Sequence, residues 1–148
     1  MVEYKEGNVC NTECDTFAIP VNCKGVMGAG LALWFKNNFP KFFTAYQKAL
    51  RIKALYPGNP CLIKLDGVKV VMFPTKDDWK QDSSMQMIED GLLAVRRSKE
   101  LWKISSIAFP ALGCGCGKLN WNDVKSLIED IFEKDDLKVE VYLPHEKQ

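Results

Sequence analysis

Short runs of β-forming residues alternate with longer segments of helical period along the chain, and neither a repeat nor a low-complexity linker interrupts them. That order favours a layered α/β fold, in which strands pair in a sheet and the intervening helices cover it. The run Phe17-Ala18-Ile19-Pro20-Val21 is apolar at every position, the pattern of a strand buried on both faces and therefore central. Pro20 weakens this strand because it has no ladder hydrogen, which places it near the strand's end.

The remaining elements follow from pattern and caps. Strands are expected over residues 2–5, 16–22, 104–109 and 137–143. Residues 61–65 and 68–73 flank Asp66-Gly67, a turn dipeptide that tolerates positive φ and predicts a hairpin. Helical periods occupy 28–39 and, after Pro40, 42–53. Ser83 or Ser84 can cap a helix running to about Trp102, with Met87, Ile88, Leu92, Leu93 and Val95 inward, and Asn120 can cap a helix over 121–132. The result is a mixed sheet between helical layers.

With 148 residues, 47% of them hydrophobic and 26% charged, the chain fits one domain with a sizeable core. Its formal charge of +1 supplies no global field for a polyanion, so any nucleic-acid contact must be local. The polar start Met1-Val2-Glu3-Tyr4-Lys5-Glu6 does not resemble a secretion signal, and no apolar run reaches the roughly 18 residues of a membrane span. The expected compartment is the cytoplasm, with no membrane partner. Cys10, Cys14, Cys23, Cys61, Cys114 and Cys116 are accordingly read as thiols. Zinc is disfavoured, because one glycine separates Cys114 from Cys116 and the only histidine is His145.

Two segments leave a strand for a glycine-rich loop that leads toward a helix. The first is Asn22-Cys23-Lys24-Gly25-Val26-Met27-Gly28-Ala29-Gly30; the second is Ala111-Leu112-Gly113-Cys114-Gly115-Cys116-Gly117-Lys118. Such loops let backbone approach a ligand, and amides at a helix start favour phosphate oxygens. In an open α/β sheet both would lie at the carboxyl ends of strands, where ligands bind. Neither matches a P-loop or a dinucleotide fingerprint: Leu119 follows Gly117-Lys118, and Leu33 stands where a third glycine would. A lone loop of this kind is often only a tight connection; the pair together points to a diphosphate gripped from two sides.

A third segment, Phe73-Pro74-Thr75-Lys76-Asp77-Asp78-Trp79, ends the hairpin. A lysine where a buried strand meets a loop can lose solvation and offer its amine as a nucleophile or acid/base group. The plain alternative is a solvated lysine paired with Asp77 or Asp78. Trp79 and Trp121 can stack on a ligand or simply pack.

Together these motifs resemble the macrodomain family, in order along nearly the whole chain. Gly7-Asn8-Val9 is similar to an early Gly-Asp-Ile-type turn, residues 21–30 to the first binding loop, and residues 111–121 to the second, pyrophosphate-facing loop. Val26-Met27-Gly28-Ala29-Gly30-Leu31-Ala32-Leu33-Trp34-Phe35-Lys36 and Phe73-Pro74-Thr75-Lys76 with Trp79 are most similar to the deglycosylating branch, which includes DarG-type antitoxins and the human terminal ADP-ribose hydrolase. The resemblance implies one three-layer α/β/α macrodomain over residues 1–148 with a central mixed sheet. It implies Lys76 as catalytic lysine and Asn22 as the residue orienting the ribose nearest the scissile bond. The implied ADP-ribose-binding residues are Asn8, Val9, Cys23, Gly25, Val26, Met27, Gly28, Ala29, Gly30 and Thr75, with Ala111, Leu112, Gly113, Cys114, Gly115, Cys116 and Gly117. No metal and no cofactor are implied.

Two departures stand out. Gly117 occupies the place where the human type has an acidic residue that works with its lysine, and the DarG type tolerates glycine there. Asn8 stands where an aspartate usually accepts from the adenine amino group; a carboxamide accepts without charge assistance.

The implied activity is removal of ADP-ribose from DNA thymine or, second, from protein carboxylates. A cognate ADP-ribosyltransferase is an implied partner. A non-catalytic ADP-ribose reader and a phosphatase acting on ADP-ribose 1″-phosphate are the alternatives. Lys24, Lys36, Lys76 and Lys80 can form a positive rim or be scattered surface lysines.

Overall fold

The computed structural model describes residues 1–144, and in them six strands form one sheet flanked by four helices. Strands β1 (Val2–Lys5), β2 (Thr16–Val21), β4 (Val68–Pro74), β5 (Ser106–Phe109) and β6 (Lys138–Tyr142) are mutually parallel; β3 (Cys61–Leu65) returns antiparallel on β4. The order across the sheet is β1-β6-β5-β2-β4-β3. The apolar run of β2 is therefore central, as its composition predicts. Pro20 pairs with Phe73 of β4 but lies past the last pair with β5, Phe17↔Ala108, so its missing hydrogen disrupts no ladder on that side.

Helices α1 (Gly30–Asn38) and α2 (Pro40–Arg51) cover one face of the sheet, and α3 (Met85–Ser98) and α4 (Trp121–Phe132) cover the other. Successive strand residues supply the two cores alternately. In β4, Val70 and Met72 join Phe35, Phe42 and Tyr46 under α1 and α2, whereas Val71 and Phe73 join Ile88, Leu92, Ile128 and Phe132 under α3 and α4. This double burial makes the three-layer α/β/α arrangement self-consistent.

Several boundaries shift from the sequence expectations, each for a local reason. α1 starts at Gly30 rather than residue 28, because Ala29 is extended and Gly30 has φ 56°, which breaks the right-handed run. The chain breaks between α1 and α2 as expected, but α2 starts at Pro40 itself rather than at residue 42, since proline's missing hydrogen is harmless in a first turn. Ser84, not Ser83, caps α3 by accepting from the Met87 N–H at 3.1 Å, and the helix stops at Ser98. A short 3-10 turn, Val9–Asn11, follows β1 and was not signalled by periodicity. The Asp66-Gly67 turn has positive φ at both residues, 52° and 81°, as the hairpin requires.

One packing detail yields a stability prediction. Gly91 lies inside α3, where glycine is unfavourable by about 1 kcal/mol relative to alanine. A Cβ there would lie 2.4 Å from Cζ of Phe73. We expect Gly91→Ala to lower unfolding free energy by about 1–3 kcal/mol, overpacking outweighing propensity. Urea titration would show a lower midpoint with an unchanged slope; a raised midpoint would contradict the packing argument.

Candidate active site

A cleft of about 1030 Å³ opens at the carboxyl edge of the sheet, at the upper end of the roughly 300–1,000 Å³ usual for ligand sites. It draws on the exits of every parallel strand: Gly7 to Val9 after β1, Pro20 to Asn22 at β2, Thr75 and Lys76 after β4, Pro110 and Ala111 after β5, and Tyr142 to Pro144 at β6. Val26, the turn Gly28 to Gly30 and Leu31, Ala32 and Trp34 of α1 form one wall. Gly113 to Gly117 form the opposite one. Lys76 is the sole charged side chain among the described lining residues.

The first loop is shaped by Asn22, which is 8% exposed. Its Oδ1 accepts from the Lys24 N–H at 2.9 Å, and its Nδ2 donates to the Val26 carbonyl at 2.7 Å. A fully buried Tyr46 on α2 donates its hydroxyl hydrogen toward the Asn22 carbonyl at 2.7 Å and Oδ1 at 3.0 Å. Burial, above all, raises the Tyr46 phenol's pKa, so the group stays a donor. The carboxamide is thus fixed from two sides, and one Nδ2 hydrogen remains for a ligand. Among the described residues, the N–H groups from Gly28 to Ala32 have no backbone acceptor, the ordinary condition of a helix start and a ready contact for phosphate.

The second loop folds on itself through Cys114 N–H to the Ala111 carbonyl at 3.1 Å, Lys118 N–H to Gly115 at 3.1 Å and Leu119 N–H to Gly113 at 2.8 Å. These bonds leave the N–H groups of Gly115, Cys116 and Gly117 without backbone acceptors among the described residues. A diphosphate lying between the two loops meets donors from both.

The lysine segment is clamped between those loops. On one side, the Cys23 N–H donates to the Asp77 carbonyl at 2.9 Å, and Lys24 pairs with the Asp77 carboxylate at 3.7 Å. On the other, the Ser83 N–H donates to the Gly117 carbonyl at 3.0 Å. The Lys76 ammonium donates to the Cys116 carbonyl at 3.1 Å and the Trp79 carbonyl at 3.5 Å. Lys76 is therefore neither loose in solvent nor paired with Asp77 or Asp78: its head group sits on the second loop.

Four residues expected at the ligand do not line the cleft. Met27 and Leu112 are 1% and 0% exposed and anchor their loops in the two cores. Cys23 and Gly25 are also absent from the lining: the Cys23 N–H holds the lysine segment, and Gly25 lies near Leu50 of α2. The expected lysine rim is also narrower: of Lys24, Lys36, Lys76 and Lys80, only Lys76 lines the cleft. Lys36 lies over the Phe43 ring and Lys80 over the Trp79 ring, at 4.5 and 5.4 Å. Trp79 lines the mouth and is 51% exposed, whereas Trp121 packs edge-on against Tyr4.

Burial pushes the Cys114 thiol up to about 11, so it is protonated near neutrality and unsuited to attack. His145 lies outside the described residues. Among those residues no three His, Cys, Asp or Glu side chains gather to hold a metal, and no helix is long and apolar enough to cross a membrane. Neither motif nor periodicity marks Tyr46, Ser83 or Trp34 as part of the site. Tyr142, which the sequence leaves open between stacking on a ligand and packing, lines the cleft because every parallel strand opens on the same edge.

Residues 19–128 match the Macro domain family. The chain belongs to the macrodomain family. This macrodomain is 36% identical over 149 residues to the DNA ADP-ribosyl glycohydrolase of Mycobacterium tuberculosis, covering 97% of this chain and 42% of that protein. It is 28% identical over 144 residues to the human ADP-ribose glycohydrolase OARD1, covering 95% and 90%. A solved structure of Thermosipho africanus DarTG in complex with ADP-ribose superposes with TM-score 0.94 at 34% identity, covering 99% of this chain and 42% of that one. The curated Thermosipho africanus relative, 36% identical over 162 residues and matched over 97% of this chain and 42% of its own, is a DNA ADP-ribosyl transferase-DNA ADP-ribosyl glycohydrolase fusion protein. The macrodomain thus spans about two fifths of the length of its bacterial relatives.

Proposed function

We propose that this macrodomain is an ADP-ribosyl glycohydrolase that removes ADP-ribose from a modified macromolecule, with ADP-ribosylated DNA thymine as its first substrate. The observation that carries the reading is the Lys76 ammonium, held 3.1 Å from the Cys116 carbonyl between two loops rich in unused N–H groups. The loops bind the diphosphate, which puts the outer ribose beside Lys76 and Asn22. Asn22 presents its remaining Nδ2 hydrogen to a ribose hydroxyl and orients the sugar. Lys76, in its neutral form, attacks the anomeric carbon. The carbon–base bond breaks as the carbon–nitrogen bond forms, the departing base takes the proton lost by the amine, and water then displaces the lysine to release ADP-ribose.

The bacterial relatives, which are DNA ADP-ribosyl glycohydrolases, support DNA as the modified macromolecule; the human relative, an ADP-ribose glycohydrolase, supports the hydrolytic reaction, and protein carboxylates are the second candidate substrate. The fusion protein supports a cognate ADP-ribosyltransferase as partner; such a pair would meet nucleic acid in the cytoplasm. Exposed Trp79, carrying the Lys80 ammonium on its ring, suits a neighbouring nucleobase at the mouth. The decisive assay incubates the protein with ADP-ribosylated single-stranded DNA and with ADP-ribosylated protein, and measures released ADP-ribose. Release from DNA is the expected result. Binding of ADP-ribose with release from neither would make the domain a reader, and phosphate release from ADP-ribose 1″-phosphate alone would make it a phosphatase.

A further inference from the structure

The end of the cleft farthest from Lys76 decides which nucleobase is accepted. From β4 to β6 the sheet spans three strand spacings, about 14 Å, with the two phosphate-facing loops between them. A nucleoside diphosphate sugar with its outer ribose at Lys76 therefore directs its base toward Asn8, Val9, Tyr142, Leu143 and Pro144. In that group only Asn8 and Tyr142 carry polar side-chain atoms, and no aspartate or glutamate occurs among the described residues lining the cleft.

The Asn8 carboxamide has a fixed orientation. Its Oδ1 accepts from the Cys10 N–H at 2.9 Å and caps the short turn Val9–Asn11; reversing the amide would set one donor against another. The side chain then offers a ligand two hydrogens on Nδ2 and one lone pair on an oxygen already engaged. Tyr142 likewise both donates and accepts. A 6-aminopurine shows a donor beside an acceptor on its pairing edge, and a 6-oxopurine shows the same two in reverse order. A carboxylate, which only accepts, would favour the amino base and repel the oxo oxygen; this pair of side chains can satisfy either.

We infer that the site does not discriminate 6-amino from 6-oxopurines, and that inosine diphosphate ribose binds as ADP-ribose does. The inference rests on the cleft being an ADP-ribose site. It is tested by calorimetric titration of both compounds into the protein and into an Asn8→Asp variant, in which the carboxylate can still cap Cys10. The expected dissociation constants agree within about threefold for the parent protein, and Asn8→Asp should favour ADP-ribose by about tenfold or more, as expected for gaining a charge-assisted acceptor and losing a donor. A parent preference for ADP-ribose above about tenfold, or an unchanged ratio in Asn8→Asp, would overturn the inference while leaving the pocket assignment intact. Binding of neither compound would overturn both.

Discussion

Lys76→Ala is expected to slow ADP-ribose release by at least about a hundredfold, the scale of losing a positioned nucleophile or acid/base group. ADP-ribose affinity should stay within about fivefold, because one partly exposed cation contributes roughly 1 kcal/mol or less, while the diphosphate is held by main-chain amides that the substitution leaves in place. Single-turnover release and calorimetry on the same preparation separate the two quantities. Lys76→Arg sharpens the test. Arginine keeps the positive charge and can reach the Cys116 carbonyl, but it has no neutral amine to offer near pH 7. Inactivity of both variants with intact binding marks the amine as the reacting group. Substantial turnover by Lys76→Arg would reduce residue 76 to an electrostatic role, and parent-like turnover by Lys76→Ala would remove the proposed mechanism.

The central strand, the hairpin and both loops are legible in the sequence because each rests on near neighbours. An unbroken apolar run, a dipeptide that tolerates positive φ, and glycines just after a strand carry their physical reasons locally. What the sequence does not disclose is which residues of a loop face its ligand. Met27 and Leu112 stand within the glycine-rich stretches yet point into the cores, because a loop held against a ligand needs apolar anchors beneath it. The same limit hid Tyr46, twenty-four residues beyond Asn22 and on another element, whose hydroxyl fixes the Asn22 amide. Helical periodicity marks it only as a buried aromatic; the polar function of its tip depends on where β2 ends above α2. The Lys76 to Cys116 contact spans forty residues and emerges only once β4 and β5 flank β2.

That contact makes the second loop and the lysine segment one unit, with Gly117 at its tightest point. A Cβ on Gly117 would lie 2.1 Å from Ser83 Oγ, 2.5 Å from the Gly113 carbonyl oxygen and 2.8 Å from Ser83 Cβ. Ser83 is buried, its Oγ has no hydrogen-bond partner among the described residues, and its N–H is committed to the Gly117 carbonyl. An acidic side chain at this position, the human-type pattern from which Gly117 departs, therefore cannot enter without displacing backbone. Gly117→Ala is expected to weaken ADP-ribose binding by about tenfold to a hundredfold, the equivalent of the roughly 1–3 kcal/mol of overpacking in a tight site. Release should fall further, because the Cys116 carbonyl moves and Lys76 loses its seat. Adding Ser83→Gly to Gly117→Ala removes the side-chain collision but not the one with the Gly113 carbonyl, so binding should return only in part. Parent-like affinity for Gly117→Ala alone would mean that the loop yields freely, and the coupling between phosphate loop and lysine would have to be abandoned.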